Sequence, residues 1–309
     1  MVSFSDRVPP VLESQAQLDQ MVEEAKTDAI VGLDTEFLRE KTYRARLCLV
    51  QVATKHGIYL VDPLARYDLT TLAGLISDRD VEVLVHAGRQ DFEIFFEMFG
   101  VVPQNIFDVQ LAAGFAGYGA SLPYGRLVET ITKTTLTKGE SYTDWCRRPL
   151  SAAQLQYAAD DVRYLHVVAA RIKDELYASG RAEWANAEMQ HFSVASLYTT
   201  EPEDAWRRVS GRGTLSGKQM GMLRELAAWR EEAAQRRDIP RGWVVKDQSL
   251  IEIARKAPTD MGSLKTLRGL APKEAERSGQ EILAAIERGK DSPPYDAPPV
   301  PSRSAQARA

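Results

Sequence analysis

Three short apolar segments near the start of the chain most constrain its fold. They are rich in Val, Ile, Leu and Tyr, and a turn-forming stretch at 55–57 separates the last two. The segments are 29–37 (AIVGLDTEF), 47–54 (LCLVQVAT) and 57–62 (GIYLVD). Short β-branched runs bounded by turn residues are typical of strands, so the fold is predicted to open with a three-stranded meander.

Strand and helix patterns alternate after the meander. A helical pattern at 69–78 is followed by a strand at 81–87, a helix at 89–100 that ends in Gly100, and a short strand that enters a helix at 105–117. This order predicts an α/β domain, a mixed sheet with helices on its faces.

The strongest helical pattern covers residues 151–178. Ser151 and Gln154 form a capping-box sequence at its start. Tyr157 and Asp161 stand four residues apart, off the apolar stripe, so their side chains are predicted to share one face. The apolar stripe consists of Leu155, Ala158, Val162, Leu165, Ala169, Ile172 and Leu176.

Charge divides the chain into an acidic front and a basic rear. Residues 1–205 contain 19 Lys and Arg against 30 Asp and Glu, whereas residues 206–290 contain 18 against 11. The rear part has helical patterns only. Opposite charges in two blocks indicate one part that holds metal cations and another that binds a polyanion. We predict a catalytic domain at 1–178, a helical linker at 179–205, a helical domain at 206–290 and a disordered Pro- and Ser-rich tail at 291–309.

Export and membrane insertion are not expected. The first 17 residues have no basic region followed by an apolar run, and no 18 apolar residues follow one another without a charge. The two cysteines, Cys48 and Cys146, form no CxxC pair. We expect both to be reduced residues of the core.

Two acids in the first strand are the first indication of chemistry. The period of two in a strand places Asp34 and Glu36 on the same face, and Gly32 allows a neighbour to approach the backbone closely. Unpaired carboxylates in a partly buried sheet cost several kcal/mol or take up protons, so a cation is the simpler explanation. The alternative is that Asp34 ends the strand and Glu36 is solvated.

Two further acids, Asp91 and Asp161, each have a functional and a structural interpretation when taken alone. Asp91 comes directly after a strand, but an Asp in the first turn of a helix is also favoured by the helix dipole. Asp161 has the alternative of a surface acid beside Asp160.

Together these acids resemble the three motifs of the DEDD family of 3′-to-5′ exonucleases, in the order D-x-E, D and Y-x-x-x-D. Tyr157 resembles the tyrosine subclass; the other subclass has a His where this chain has Gln156. Residues 25–170 resemble the bacterial ribonuclease D family, most specifically at SYTDWCRRPLSAAQLQYAADDVRYL. The stretch from LSGKQMGMLREL to SLKTLRGL resembles an HRDC domain. Some members carry a second, degenerate HRDC-like domain, for which too few residues follow Lys290.

The resemblance implies a ribonuclease H-like fold for the first domain and a two-metal site. Asp34 would bridge both ions, Glu36 and Asp161 would complete one site, and Asp91 would support the other. All-oxygen ligands favour Mg²⁺ or Mn²⁺, and the lack of a Cys/His cluster argues against zinc. Tyr157 would hydrogen-bond the attacking water and orient it.

The implied substrate is RNA with a free 3′ end, tRNA precursors above all, cut by a cytoplasmic and monomeric enzyme that releases nucleoside 5′-monophosphates. Two alternatives stay open: a DNA 3′-to-5′ exonuclease, and a nuclease-like protein that only binds nucleic acid. The second alternative predicts the loss of an acid, and all four are present.

Substrate contacts are less constrained by the sequence. Phe37 could stack on a terminal base or pack in the core, and His86 could reach the terminal sugar or phosphate or be a core histidine. Trp243 could be a stacking surface, but we favour a core anchor. The remaining predicted contacts are Gln51, Gln110, Lys218 and Arg224.

Overall fold

A computed structural model describes residues 8–136, 139 and 143–292. Its central element is one five-stranded sheet with the order β3-β2-β1-β4-β5. Strand β2 pairs antiparallel with both β1 and β3. On the other side of β1, β4 pairs parallel with β1 and β5 pairs parallel with β4. The predicted meander and the mixed sheet are therefore confirmed. The strands are β1 (Ile30–Leu38), β2 (Arg46–Ala53), β3 (Ile58–Val61), β4 (Glu82–Val85) and β5 (Ile106–Asp108).

Eight helices accompany the sheet in the described part of residues 8–199. The helices predicted after the meander are present, and the eighth helix lies within the predicted helical linker, but the first and fifth helices were not anticipated. Their bounds are α1 (Gln15–Asp28), α2 (Thr70–Ile76), α3 (Arg89–Phe99), α4 (Val109–Ala116), α5 (Tyr124–Thr132), α6 (Ala152–Arg163), α7 (Leu165–Ser179) and α8 (Ala182–Met189). Short 3₁₀ turns at Gln190–Ser193 and Ala195–Leu197 follow α8.

The prediction of one continuous helix over 151–178 is wrong in one respect. The capping box of Ser151 and Gln154 is present, but the helix breaks at Tyr164, where ψ is 0°, into α6 and α7. After the break, Leu165 packs directly on β1: a Cβ added to Gly32 would lie 3.2 Å from the Leu165 Cδ1. Both helices keep apolar positions against the same sheet, so the periodicity continues across the break and could not reveal it.

The expectation that both cysteines are reduced is also wrong. Cys48 of β2 and Cys146 form a disulfide across 98 residues of sequence, with their Cα atoms 4.9 Å apart. The segment before α6 runs alongside β2, and this approach of two distant parts of the chain leaves no trace in the local spacing of cysteines.

The chain divides into two compact units. The first contains the sheet and extends to Thr199, except for the β1–β2 loop Glu40–Arg44, which belongs to the second unit with the residues from Thr200 onward. In that second unit, the Tyr43 hydroxyl donates a hydrogen bond to Glu231, and Asp238 accepts from the Tyr43 and Arg44 backbone N–H groups at 3.1 and 3.0 Å.

The described residues of the second unit form helices and no strand, as predicted. Leu223, Leu226, Leu250 and Ile282 are fully buried in its core. The helices are α9 (Gly217–Arg237), α10 (Arg241–Val244), α11 (Asp247–Lys256), α12 (Met261–Lys265) and α13 (Pro272–Asp291), preceded by 3₁₀ turns at Pro202–Arg208 and Arg212–Thr214.

Among the described residues, no helix combines the length and apolar character that crossing a membrane requires. Most of the predicted tail, 293–309, lies outside the described residues.

Candidate active site

Three of the four predicted acids form one cluster. Asp34 and Glu36 lie two residues apart on β1, so they share a face of the sheet, and their register partners on β2 are Gln51 and Leu49. Asp161 reaches the same place from α6. One carboxylate oxygen from each of Asp34, Glu36 and Asp161 lies within 4.8 Å of the others.

Helix α6 places Asp161 because of the face that it buries. The helix packs across β1, β2 and β3, and its residues Ala158 and Val162 are fully buried. Neighbouring Asp160 is engaged elsewhere, since Arg163 donates to it at 2.8 Å and Gln156 at 3.0 Å. Asp161 is therefore the acid of this pair that faces the cluster.

Asp91 lies in the first turn of α3 and is 7% exposed. The hydroxyl of Thr35, which stands between the two acids of β1, donates a hydrogen bond to its carboxylate. The turn before α3 is held by Asp108, which accepts from the N–H groups of Ala87 and Gly88, both at 3.1 Å. Asp91 is thus fixed beside β1, although it lies outside the cluster of three.

Burial and neighbouring acids raise the proton affinity of all four carboxyl groups. Burial, followed by the charges of Asp91, Asp161 and Glu36, raises the pKa of Asp34 well above its ordinary value. Burial and the nearby acids raise the pKa of Glu36 to about 8 and that of Asp161 to about 8. Burial raises the pKa of Asp91 to about 7. At neutral pH these groups can be ionised together only if a cation offsets their repulsion.

The donor set fits a hard divalent cation. Among the described residues, no Lys or Arg forms an ion pair with Asp34, Glu36, Asp91 or Asp161. The site offers carboxylate oxygens without thiolate or imidazole, which is the ligand set that Mg²⁺ and Mn²⁺ prefer. The acids can therefore hold a divalent metal ion.

Tyr157 lies one helical turn before Asp161 on α6. Its ring lies against Trp145, with 5.9 Å between the ring centroids. A second tyrosine, Tyr124 of α5, has a buried hydroxyl, and burial followed by the charge of Asp161 raises its pKa. The acids are thus accompanied by two phenols, of which the sequence indicated only the first.

Two of the predicted substrate contacts meet at one backbone carbonyl. His86 Nε2 lies 2.9 Å from the Leu122 oxygen, and Gln110 Nε2 donates to the same oxygen at 3.3 Å. Burial lowers the pKa of His86, whose ring is 5.3 Å from that of Tyr124. Both side chains hold the loop before α5, and their contact with substrate stays a prediction.

The other two predicted contacts of this unit, Gln51 and Phe37, differ in burial. Gln51 is 0% exposed, and neither polar atom of its side chain has a partner among the described residues. Gln51 is the register partner of Asp34 on β2, and in this conformation its side chain is not accessible to a substrate. Phe37 is half-buried and packs against the core that contains Phe92 and Phe95.

Sequence reasoning missed Thr35, Asp108, Tyr124 and Trp145. Asp108 had a recognisable signal, because it precedes α4 and its side chain accepts from the N–H groups of Gln110 and Leu111, as an N-cap does. The others had none, since their contacts join residues far apart in the sequence.

The helical unit presents a groove with a cationic rim. Trp243, predicted to be a core anchor, is 60% exposed, because α10 is too short to bury a large side chain next to Gly242. The groove is lined by Trp243, Lys246, Arg255 and Arg268, with Glu252 as its one acid among the described residues. We call these lining residues the Trp243 groove.

Lys218 and Arg224, the contacts predicted from the sequence, lie outside the Trp243 groove. Arg224 is half-buried, with its guanidinium 6.0 Å from the ring of Trp206. Other cations are structural: Arg230 is 4% exposed and donates to Asp247 at 2.7 Å, and Arg237 donates to Glu274 at 2.8 Å.

Comparisons with known proteins agree with this geometry. Residues 10–177 match the family model of a 3'-5' exonuclease domain, and residues 219–286 match the HRDC domain. The ribonuclease D of Granulibacter bethesdensis is 40% identical over 303 residues, which are 97% of this chain and 76% of that protein.

Solved structures give the same picture. Escherichia coli RNase D, described as an exoribonuclease involved in structured RNA processing, is 34% identical with a TM-score of 0.83, over 92% of this chain and 76% of its own. NrnC of Brucella melitensis, solved with bound Mg²⁺, is 26% identical with a TM-score of 0.50, over 56% of this chain and 85% of its own. These relatives match most of the chain in sequence, fold and domain content, and the chain therefore belongs to the ribonuclease D family of 3′-to-5′ exoribonucleases.

Proposed function

We propose that this exoribonuclease trims the 3′ ends of structured RNA precursors, tRNA precursors above all, and releases nucleoside 5′-monophosphates. The observation that carries the proposal is the clustering of Asp34, Glu36 and Asp161 beside Asp91, with which no Lys or Arg of the described residues forms an ion pair. The description of Escherichia coli RNase D as an enzyme of structured RNA processing supports the choice of substrate.

Each acid has its own part in the proposed mechanism. Asp34 would bridge two divalent ions, Glu36 and Asp161 would complete one site, and Asp91, fixed by the Thr35 hydroxyl, would support the other. When bound, such ions lower the pKa of water and stabilise the negative charge of the leaving 3′-oxygen. The bound Mg²⁺ of Brucella NrnC favours Mg²⁺, and Mn²⁺ suits the same oxygen ligands.

Tyr157 is the proposed positioning group for the attacking water. It lies one turn from Asp161, so its hydroxyl can accept or donate a hydrogen bond at the place where the water must be in line with the scissile bond. In this role the phenol would orient the water without removing its proton.

The helical unit would contribute binding rather than chemistry. The exposed Trp243 can stack on a base, and the rim cations Lys246, Arg255 and Arg268 can contact phosphates. Lys218 and Arg224 remain candidates for further phosphate contacts. We further propose a monomer that acts in the cytoplasm, with the catalytic domain, linker, helical domain and tail divided at 178, 205 and 290.

Matched RNA and DNA oligonucleotides of one sequence, labelled at the 5′ end, test the proposal. With Mg²⁺ we expect stepwise shortening of the RNA from its 3′ end, release of 5′-monophosphates, and inhibition by a 3′-phosphate. Chelation of the metal should stop the reaction.

A tRNA precursor with a 3′ extension tests the finer claim on substrate. It should be trimmed to a discrete end. Faster cleavage of DNA than of RNA, or internal cuts in a circular RNA, would contradict the proposed substrate, and turnover in the presence of chelator would contradict the proposed metal site.

A further inference from the structure

The segment 144–150, which directly precedes α6, places a large aromatic side chain against Tyr157. Trp145 is 2% exposed, and its ring is tilted by 42° to that of Tyr157. Leu49, Leu60 and Ala158 complete the same buried cluster. Trp145 therefore packs between the antiparallel strands and α6, next to the Tyr157 ring.

Arg148 fastens this segment to the sheet with a nearly complete set of donors. Its Nε and Nη2 donate to the two carboxylate oxygens of Asp62, both at 2.7 Å, and Nη2 also donates to the Cys48 backbone oxygen at 2.6 Å. Its Nη1 donates to the Trp145 backbone oxygen at 2.8 Å. One guanidinium thus joins β2, the end of β3 and the backbone of Trp145. A Lys cannot reproduce this planar set of contacts.

A disulfide provides a second attachment of this segment to β2. Cys146 follows Trp145 directly and is joined to Cys48 of β2. The backbone of Trp145 is therefore tied to β2 both through Arg148 and through the Cys48–Cys146 bond, and its side chain has little freedom to move.

We propose that Trp145 is a positioning residue for Tyr157, and that Arg148 acts in the same way through Trp145. This inference rests on the proposed role of Tyr157. A tyrosine ring that can turn about its two side-chain torsions moves its hydroxyl by several bond lengths, and misplacement of a group by about 1 Å can cost roughly a hundredfold in rate. Trp145 touches the ring that carries the hydroxyl, so it restricts those torsions.

The test is a double-mutant cycle on single-turnover cleavage of a 5′-labelled RNA with Mg²⁺. Trp145→Phe should lower the maximal rate about tenfold and leave KM unchanged, because a smaller ring leaves Tyr157 looser while the acids keep their places. In a Tyr157→Phe background the same change should have no further effect. Trp184→Phe is the matched control, since Trp184 is 63% exposed and its loss should leave the rate unchanged.

Arg148→Lys provides a second variant that keeps the tryptophan and the charge. It should lower the maximal rate in the same Tyr157-dependent way, with an unchanged Mg²⁺ requirement. Melting temperatures of all variants show which of them are folded.

Two results would overturn the inference. One is a wild-type rate for folded Trp145→Phe. The other is an equal loss in both backgrounds, which means that Trp145 supports the acids or the fold instead of Tyr157. Failure of the proposed role of Tyr157 would be distinguishable, since Tyr157→Phe alone would then keep the wild-type rate.

Discussion

The acid cluster of the first unit and the Trp243 groove of the second unit are both concentrations of charge of one sign, but they differ in burial. Asp34, Glu36 and Asp161 lie within 4.8 Å of one another, and their pKa values are raised. Lys246 and Arg268 are exposed. Partly buried carboxylates of like charge require an ion at a defined position. Exposed cations attract any polyanion, and salt screens this attraction.

This difference assigns different tasks to the two regions. The acids of the first unit cannot all be ionised unless a cation binds, so this site selects its ion by geometry and supports chemistry. Added monovalent salt should affect the binding of that ion little. A groove of exposed cations contributes affinity that falls with salt concentration and carries no information about sequence. The two regions should therefore separate cleanly in experiments that measure turnover and binding independently.

The largest expected effect is that of Asp34→Ala. Loss of the shared ligand should reduce turnover roughly a thousandfold, because metal ions supply several kcal/mol of transition-state stabilisation. RNA affinity should change little, and the melting temperature without metal should be equal or higher because one repulsive charge is gone. Asp174→Asn, an exposed acid of α7, is the control. A rate above a tenth of wild type in Mg²⁺ would contradict the assignment, and the same criterion applies to Glu36→Ala and Asp91→Ala.

A smaller effect is expected from Trp243→Ala in the groove. If Trp243 stacks on a base, its removal should weaken binding of single-stranded RNA by about 1 kcal/mol or slightly more. The maximal rate at saturating RNA should stay at the wild-type value. Fluorescence anisotropy with a labelled RNA measures the affinity, and a folded variant with unchanged affinity would remove Trp243 from the proposed binding surface.

Lys246→Ala and Arg268→Ala should each have a still smaller effect at moderate salt. Each lost phosphate contact should make the slope of log affinity against log salt shallower by somewhat less than one unit, about 0.7 for single strands. Lys218→Ala is the matched comparison, because Lys218 is an exposed cation outside the Trp243 groove. An equal change of slope for Lys218→Ala would show that α9 shares the contact, and no change for the groove variants would overturn their role.

The smallest effect concerns the stability of the metal-free protein. The raised pKa values of about 7 for Asp91 and about 8 for Glu36 mean that the folded state binds more protons than the unfolded state between roughly pH 4 and pH 8. Stability in chelator should therefore fall as the pH rises through this interval. We expect a decrease in melting temperature of roughly a few degrees between pH 5.5 and pH 8, which Mg²⁺ should reverse. In Asp34→Asn the decrease should be smaller; an unchanged decrease would contradict the electrostatic cause.

The parts of the site that the sequence predicted are those that depend on local periodicity. Strand alternation places Asp34 with Glu36, and the four-residue spacing of a helix places Tyr157 with Asp161. The parts that it did not predict depend on which distant segments meet. The disulfide of Cys48, the ring contact of Trp145 and the break at Tyr164 all result from packing between elements, and local pattern does not record such packing.

The local sequence pattern also could not predict how deeply individual side chains are buried. Gln51 was a candidate substrate contact and Trp243 a predicted core anchor, yet Gln51 is fully buried and Trp243 is exposed. An amide in the middle of an apolar strand gives no sign of whether a helix covers it, and a tryptophan beside a glycine gives no sign of how short the next helix is.

The loop Glu40–Arg44 has a consequence for the order in which the protein is completed at the ribosome. Tyr43 and its hydrogen-bond acceptor Glu231 are separated by 188 residues. At roughly 5–20 residues per second, the nascent chain exposes Tyr43 for roughly 10 to 40 seconds before Glu231 is even synthesised. The strands on either side of this loop can pair during that time, but the loop itself cannot acquire its partners. The loop between β1 and β2 therefore receives these hydrogen bonds only after Glu231 and Asp238 have been synthesised.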